Sequence, residues 1–155
     1  YIRTSTAALS RPIDLYTTPY KIGRPDAAWT IMFSTYGIGS GVDKYIFDNG
    51  LSESSAFGCY YSNNILNLNI GGTVSTFSDT ENTEVCLSYD GSTIKLYTNG
   101  IYISSSANTD TVSEIGSVIY IGSDGTNALD GQLKSLKIYD SQLTDLEIAH
   151  ISGVY

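Results

Sequence analysis

Residues 83–105 read TEVCLSYDGSTIKLYTNGIYISS. Asp90-Gly91 and Asn99-Gly100 are the dipeptides that two-residue type I′ turns require, because both central residues of such a turn take positive φ. The segment is therefore predicted to form three antiparallel strands. Counting outward from the first turn pairs Leu87 with Ile94 and Val85 with Leu96. Counting from the second pairs Leu96 with Ile103 and Tyr97 with Tyr102. Side chains alternate across a strand, so Val85, Leu87, Ile94, Leu96 and Ile103 gather on one face. The other face collects Glu84, Cys86, Ser88, Thr93, Lys95, Tyr97, Tyr102 and Ser104, with Tyr97 opposite both Glu84 and Tyr102. One face reads as core and the other as polar with aromatic content.

The same counting extends toward the N-terminus. A two-residue turn at Asn63-Asn64 makes residues 57–70 a hairpin that pairs Tyr61 with Leu66, Cys59 with Leu68 and Phe57 with Ile70 on a core face. Its reverse face sets Tyr60 opposite Asn67 and Gly58 opposite Asn69. A ring beside amides, with a glycine leaving room above the sheet, suits a sugar: the ring covers the apolar C–H face and the amides meet hydroxyls. Ordinary cross-strand pairs on a solvated face have the same makeup. After Gly71-Gly72 a two-residue turn would put Val74 on the polar face, so a longer loop or a bulge is expected there.

Residues 29–36 alternate as a half-buried strand, with Trp29 in phase with Ile31 and Phe33, which makes Trp29 core rather than a stacking platform. Glycine-rich residues 37–41 lack the Lys-Ser/Thr and the following helix of a phosphate loop, and read as a strand connection. Residues 42–48 form a short strand ended by the Asp48-Asn49-Gly50 turn, and 51–56 a polar rim loop. Residues 117–121 and 131–139 are the last strands. Thr144 and Glu147 make a capping box, and Leu143 with Ile148 a hydrophobic staple, for a short C-terminal helix. All three prolines fall in residues 1–26, which restricts that segment to one edge strand around 13–16 and irregular wrapping.

With 155 residues the chain suits a single domain spanning 1–155. Only 15% of residues are charged, 16 acidic against 8 basic, and the net charge of −8 argues against nucleic acid or an anionic membrane as partner, with no membrane insertion expected. No apolar run approaches the length of a membrane helix. A bias to Ser, Thr, Asn, Gly and 13 tyrosines fits an extracellular, cell-surface or virion-surface location. A chain opening on Tyr1 is expected to be a mature or excised piece of a longer product. Cys59 and Cys86 fall on opposite sides of their strands, so both are predicted to be free thiols. His150 is the sole histidine and stands without a serine or cysteine nucleophile in a recognisable setting.

LSYDGSTIKLYTNGIYI, then IYIGSDG, then GQLKSLKIYDSQLTDLEI occur in the order typical of the laminin-G-like jelly roll of the concanavalin A-like lectin/glucanase superfamily, and the chain resembles that family over about residues 27–152. The resemblance implies an all-β, two-sheet antiparallel sandwich with the first strand beside the last, setting Ile13 and Leu15 near Leu136 and Ile138. Calcium bound near such loops in relatives makes Asp124, Asn127 and Asp130 candidate ligands, although the same residues are default turn formers. The enzymatic branch carries acidic residues in an E-x-D-x-x-E pattern, which is missing here, so no catalytic residues are assigned and the chain reads as not an enzyme. Two functions remain. One is a non-catalytic carbohydrate-binding or adhesion module with Tyr60, Asn67, Asn69, Tyr97 and Tyr102 as contacts. The other is a structural or decoration domain whose tyrosine-rich face docks a protein neighbour.

Overall fold

A computed structural model describes residues 2–3, 15–16, 28–38, 43–78, 84–112, 119–127 and 129–154. The strands are β1 (Ile2–Arg3), β2 (Leu15–Tyr16), β3 (Trp29–Tyr36), β4 (Lys44–Asp48), β5 (Phe57–Ser62), β6 (Ile65–Ile70), β7 (Thr73–Ser78), β8 (Glu84–Tyr89), β9 (Thr93–Thr98), β10 (Ile101–Ala107), β11 (Ile119–Ile121) and β12 (Gln132–Tyr139), followed by helix α1 (Asp145–Ile151). They form two six-stranded sheets, ordered β1-β12-β3-β8-β9-β10 and β2-β11-β4-β5-β6-β7. The chain crosses between sheets after β1, β2, β3, β7, β10 and β11, which is the winding of a jelly-roll sandwich.

Hairpin β5–β6 has the predicted register throughout, with Asn63 and Asn64 at φ 49° and 66°. The turn at Asn99-Gly100 also forms as expected, setting Ile101 opposite Thr98 and Tyr102 opposite Tyr97. The β8–β9 register differs by two residues: Leu87 faces Leu96, Tyr89 faces Ile94, and Cys86 rather than Glu84 faces Tyr97. Asp90 causes the slip. Its Oδ1 accepts hydrogen bonds from the amides of Ser92 and Thr93 and from the Ser92 hydroxyl, which moves the turn centre one residue onward. A slip of two keeps every side chain on its predicted face.

Ile103 departs from expectation for a different reason. A bulge between Tyr102 and Ser104 sets Ser104, not Ile103, opposite Leu96, and Ile103 is 49% exposed. The turn after β6 is the simple one: Gly71 and Gly72 both take positive φ, Ile70 faces Thr73, and Val74 lies 41% exposed opposite Asn69. Burying Phe77 opposite Leu66 holds that register, so an exposed valine is the lesser cost. At the N-terminal end, β1 borders the last strand through Ile2 opposite Leu133, whereas Leu15 borders β11 in the other sheet. Leu15 is therefore not beside Leu136 and Ile138. Ile13, Val42, most of the 37–41 glycine run, residues 79–83 and residues 113–118 lie outside the described residues.

Between the sheets, Trp29, Ile31, Phe33, Phe57, Cys59, Leu66, Leu68, Leu87, Ile94 and Leu96 belong to one cluster. Trp29 is buried there against Phe57 and Tyr89, as its strand phase predicts. The outer face of the first sheet was expected to be polar, yet α1 covers it. Met32, Cys86, Tyr97 and Ile148 form a second buried cluster, with Leu143 packed against it. Thr144 and Glu147 make the full capping box that starts the helix. Cys59 and Cys86 thus sit in different clusters on either side of a sheet, with the Cys86 thiol pushed up to about 12, chiefly by burial.

Candidate functional site

The five residues read from sequence as ligand contacts do not form one surface. Tyr97 and Tyr102 belong to the first sheet, and Tyr60, Asn67 and Asn69 to the outer face of the second. Tyr97 is 1% exposed, because the helix lies over it and its hydroxyl donates to Asp145 Oδ1 at 2.6 Å. Tyr102 is exposed and meets Tyr97 edge to face. Asn67 is buried and its Nδ2 donates to the carbonyl of Ile65. Asn69 accepts from the Gly72 amide. A groove lined by Tyr60, Asn67 and Tyr97 therefore does not exist. Tyr60 stays on an outer sheet face, and its neighbours come from strands expected from the sequence whose residues were given no role in a site.

Those neighbours are Tyr45 and Asp48, placed by a bulge. In β4 the pairing runs Tyr45 to Tyr60, skips Ile46, then resumes with Phe47 to Cys59 and Asp48 to Gly58. Ile46 and Phe47 are both buried, so the inserted residue turns Tyr45 and Asp48 onto the same outer face. Tyr45 and Tyr60 stack with ring centroids 5.0 Å apart and an interplanar angle of 29°. Asp48 lies over Gly58, where any Cβ would collide with its carboxylate. Its Oδ1 accepts from the Gly50 amide at 2.6 Å. Tyr120 of β11 pairs with Asp48 and extends the surface; its ring rests on Gly50, where a Cβ would approach to 2.6 Å, and beside Gly125. Three apolar letters in a row at Tyr45-Ile46-Phe47 were the one sequence sign of this bulge.

The surface is acidic. Burial pushes the Asp48 carboxyl up to about 6, with the negative charge of Asp124 adding to the shift and the Gly50 hydrogen bond opposing it. Tyr45 is raised to about 12, first by burial and then by Asp124, Asp43 and Asp48. Burial, Asp43 and Asp48 also raise Tyr60. A carboxyl raised in the folded state contributes stability that is complete below its unfolded value and is lost as pH rises through its folded value. Asp48→Asn keeps an oxygen for the Gly50 amide and removes the charge. The variant should therefore exceed the parent in stability above pH 6 by about 1 kcal/mol, allowing for screening at a partly exposed site, and match it below about pH 4. Urea unfolding at pH 7.5 and pH 4 checks this; equal stability at both would mean that Asp48 is held without cost.

The loop carrying Asp124, Asn127 and Asp130 is organised by its own hydrogen bonds. Asp124 Oδ1 accepts from the amides of Thr126 and Asn127, and Oδ2 from the Asn127 side chain. Partial burial raises its carboxyl, but these bonds outweigh that and leave it below the usual range. Asp130 pairs instead with Lys44 at 3.5 Å. Among the described residues no three His, Cys, Asp or Glu side chains are grouped to hold a metal ion. The three predicted donors act as turn formers and as an ion-pair partner.

Residues 20–149 match the laminin G family model of the concanavalin A-like lectin/glucanases superfamily. The chain belongs to this superfamily. Solved structures agree on the fold. The family 40 carbohydrate-binding module of the Ruminococcus gnavus IT-sialidase, bound to α2,3-sialyllactose, is 20% identical with a TM-score of 0.66 over 82% of this chain and 83% of that one. The binding domain of botulinum neurotoxin DC, in complex with rat synaptotagmin II, is 13% identical with a TM-score of 0.62 over 83% of this chain and 36% of that one. The leech intramolecular trans-sialidase in complex with 2,7-anhydro-Neu5Ac is 18% identical with a TM-score of 0.64, over 83% of this chain and 24% of that one. This superfamily chain thus spans about a third or less of the toxin and trans-sialidase chains, and nearly all of the sialidase module. No curated protein sequence matches it.

Proposed function

We propose that this chain is a non-catalytic carbohydrate-binding module of a larger extracellular, cell-surface or virion protein, and that it holds a glycan on the outer face of the second sheet. The observation that carries the reading is the stacked Tyr45–Tyr60 pair beside an Asp48 carboxylate lodged over Gly58. The rings offer an apolar platform for a sugar face, and the carboxylate accepts hydroxyl hydrogen bonds. A carboxyl buried enough to be raised, yet left on the surface, marks a group poised for a ligand. Hydrolysis by a carboxylate pair is disfavoured, because both oxygens of Asp124 already accept hydrogen bonds from its own loop. The solved relatives include a module bound to sialyllactose, which is consistent with a glycan partner.

Tyr45→Ala and Tyr60→Ala should each weaken glycan binding by about 5–30-fold, the loss of about 1–2 kcal/mol of ring contact, while leaving the circular dichroism spectrum unchanged. Titration of an array-selected glycan measures it. Undiminished affinity in both variants moves the site elsewhere.

One observation favours a second reading, a structural domain that docks a protein. Edge strand β10 carries no charge and exposes Ile101, Tyr102 and Ile103 in succession. Sedimentation of the parent and of a Tyr102→Lys variant distinguishes the two: a parent oligomer dissolved by the lysine, with no glycan bound, selects the docking role.

A further inference from the structure

The charge around the stacked tyrosines bears on which glycans can be held, an inference that rests on the glycan-binding reading above. Asp48 shares the outer face with the stacked pair, its carboxylate lodged over Gly58, and Asp124 and Asp43 act with it electrostatically on Tyr45, so three carboxylates bear on the platform. The nearest described cation along the strand, Lys44, points the other way: its pairing position is opposite core residue Tyr61, its side chain is 11% exposed, and its amine is engaged by Asp130. The other described cations lie on the first sheet or its helix. Lys95 pairs with Asp145, Lys134 sits over Tyr36, and Lys137 and His150 belong to β12 and α1. Among the described residues the surface thus offers acceptors and rings, with no cationic partner for an anionic sugar.

We infer that the site selects saccharides that are uncharged or carry an amine, and discriminates against sialylated and uronic-acid glycans. A sugar carboxylate placed on the Tyr45–Tyr60 platform would meet three like charges and, among the described residues, find no bidentate or ammonium donor to replace its water. Hydroxyl and ammonium groups donate to the same carboxylates. The ligand bound to the similarly folded sialidase module, α2,3-sialyllactose, belongs to the class this site would disfavour.

The test uses the whole chain on an array of matched glycan pairs, each neutral or amino-bearing member beside its sialylated or uronic counterpart, followed by titration of the best pair at 50 and 300 mM salt. The acidic member should bind at least about 10-fold more weakly at low salt. The gap should narrow at high salt and in the Asp43→Asn/Asp48→Asn double variant. Equal or tighter binding of the acidic members overturns the selectivity and leaves the binding site standing. Failure to bind any glycan overturns both.

Discussion

Replacing Leu96 with alanine is expected to lower stability by about 2–5 kcal/mol, because the lost methylenes leave a cavity that a sandwich core closes only in part. Leu96 is fully buried, sits directly across from Leu87, and belongs to the cluster between the sheets. Ile103→Ala is the informative companion. Strict alternation along 83–105 would put both residues in the core and assign them similar costs. The bulge instead leaves Ile103 half in water, and its truncation should cost less than about 1 kcal/mol. Urea unfolding of the two variants measures the difference, and comparable losses would mean that the bulge is not formed in solution.

Gly100→Val should cost about 2–5 kcal/mol, from two sources. Gly100 has φ 75°, a left-handed conformation that a β-branched residue adopts at about 1–2 kcal/mol. A side chain there would also meet Val154 Cγ2 at 2.7 Å, Ser152 Cβ at 2.9 Å and Ala149 Cα at 3.1 Å, and overpacking against a helix backbone adds about 1–3 kcal/mol. The hairpin turn is the floor on which the end of α1 rests. Pushing the helix away uncovers Met32, Cys86 and Tyr97, so the Cys86 thiol should react with a thiol reagent under conditions where Cys59 stays protected. Gly153→Val separates the two sources. Gly153 has the same φ of 75° but no atom near its absent Cβ, so that variant should show the conformational cost without Cys86 labelling. Equal Cys86 labelling in both would remove the helix contact from the account.

Turn chemistry was legible where the dipeptide alone sets the geometry. Asn63-Asn64 and Asn99-Gly100 formed the turns counted from them, because positive φ at both centres leaves a hairpin little alternative. It was less legible at Asp90, whose side chain accepts from three neighbouring donors at once and shifts the register by two. Face assignments survived that shift, since parity is unchanged. The bulges at Ile46 and Ile103 were missed, with only the run Tyr45-Ile46-Phe47 to signal the first. They depend on which neighbour each strand meets, and they decide that Tyr45 and Asp48 face out with Tyr60 and that Ile103 is exposed. The candidate site was accordingly half visible: Tyr60 and Gly58 were singled out, while Tyr45, Asp48 and Tyr120 were not.

Local patterning by itself determined that the chain is built of antiparallel strands, the hairpins around Asn63-Asn64, Asp90-Gly91 and Asn99-Gly100, which faces of those strands carry the core apart from Ile103, and that a capped helix follows the last strand. Each of these follows from interactions between residues close in sequence, through turn φ values, side-chain alternation and capping. The two-sheet sandwich was what the family resemblance implied. Which surface is open was settled only by tertiary structure. The helix docks on the sheet face that carries Tyr97 and closes it, while among the described residues no helix lies over the other sheet, where Tyr45, Tyr60 and Asp48 stay at the surface. That outcome depends on contacts between strands and a helix many residues apart, where the burial of Ile148 outweighs keeping a tyrosine hydroxyl in water.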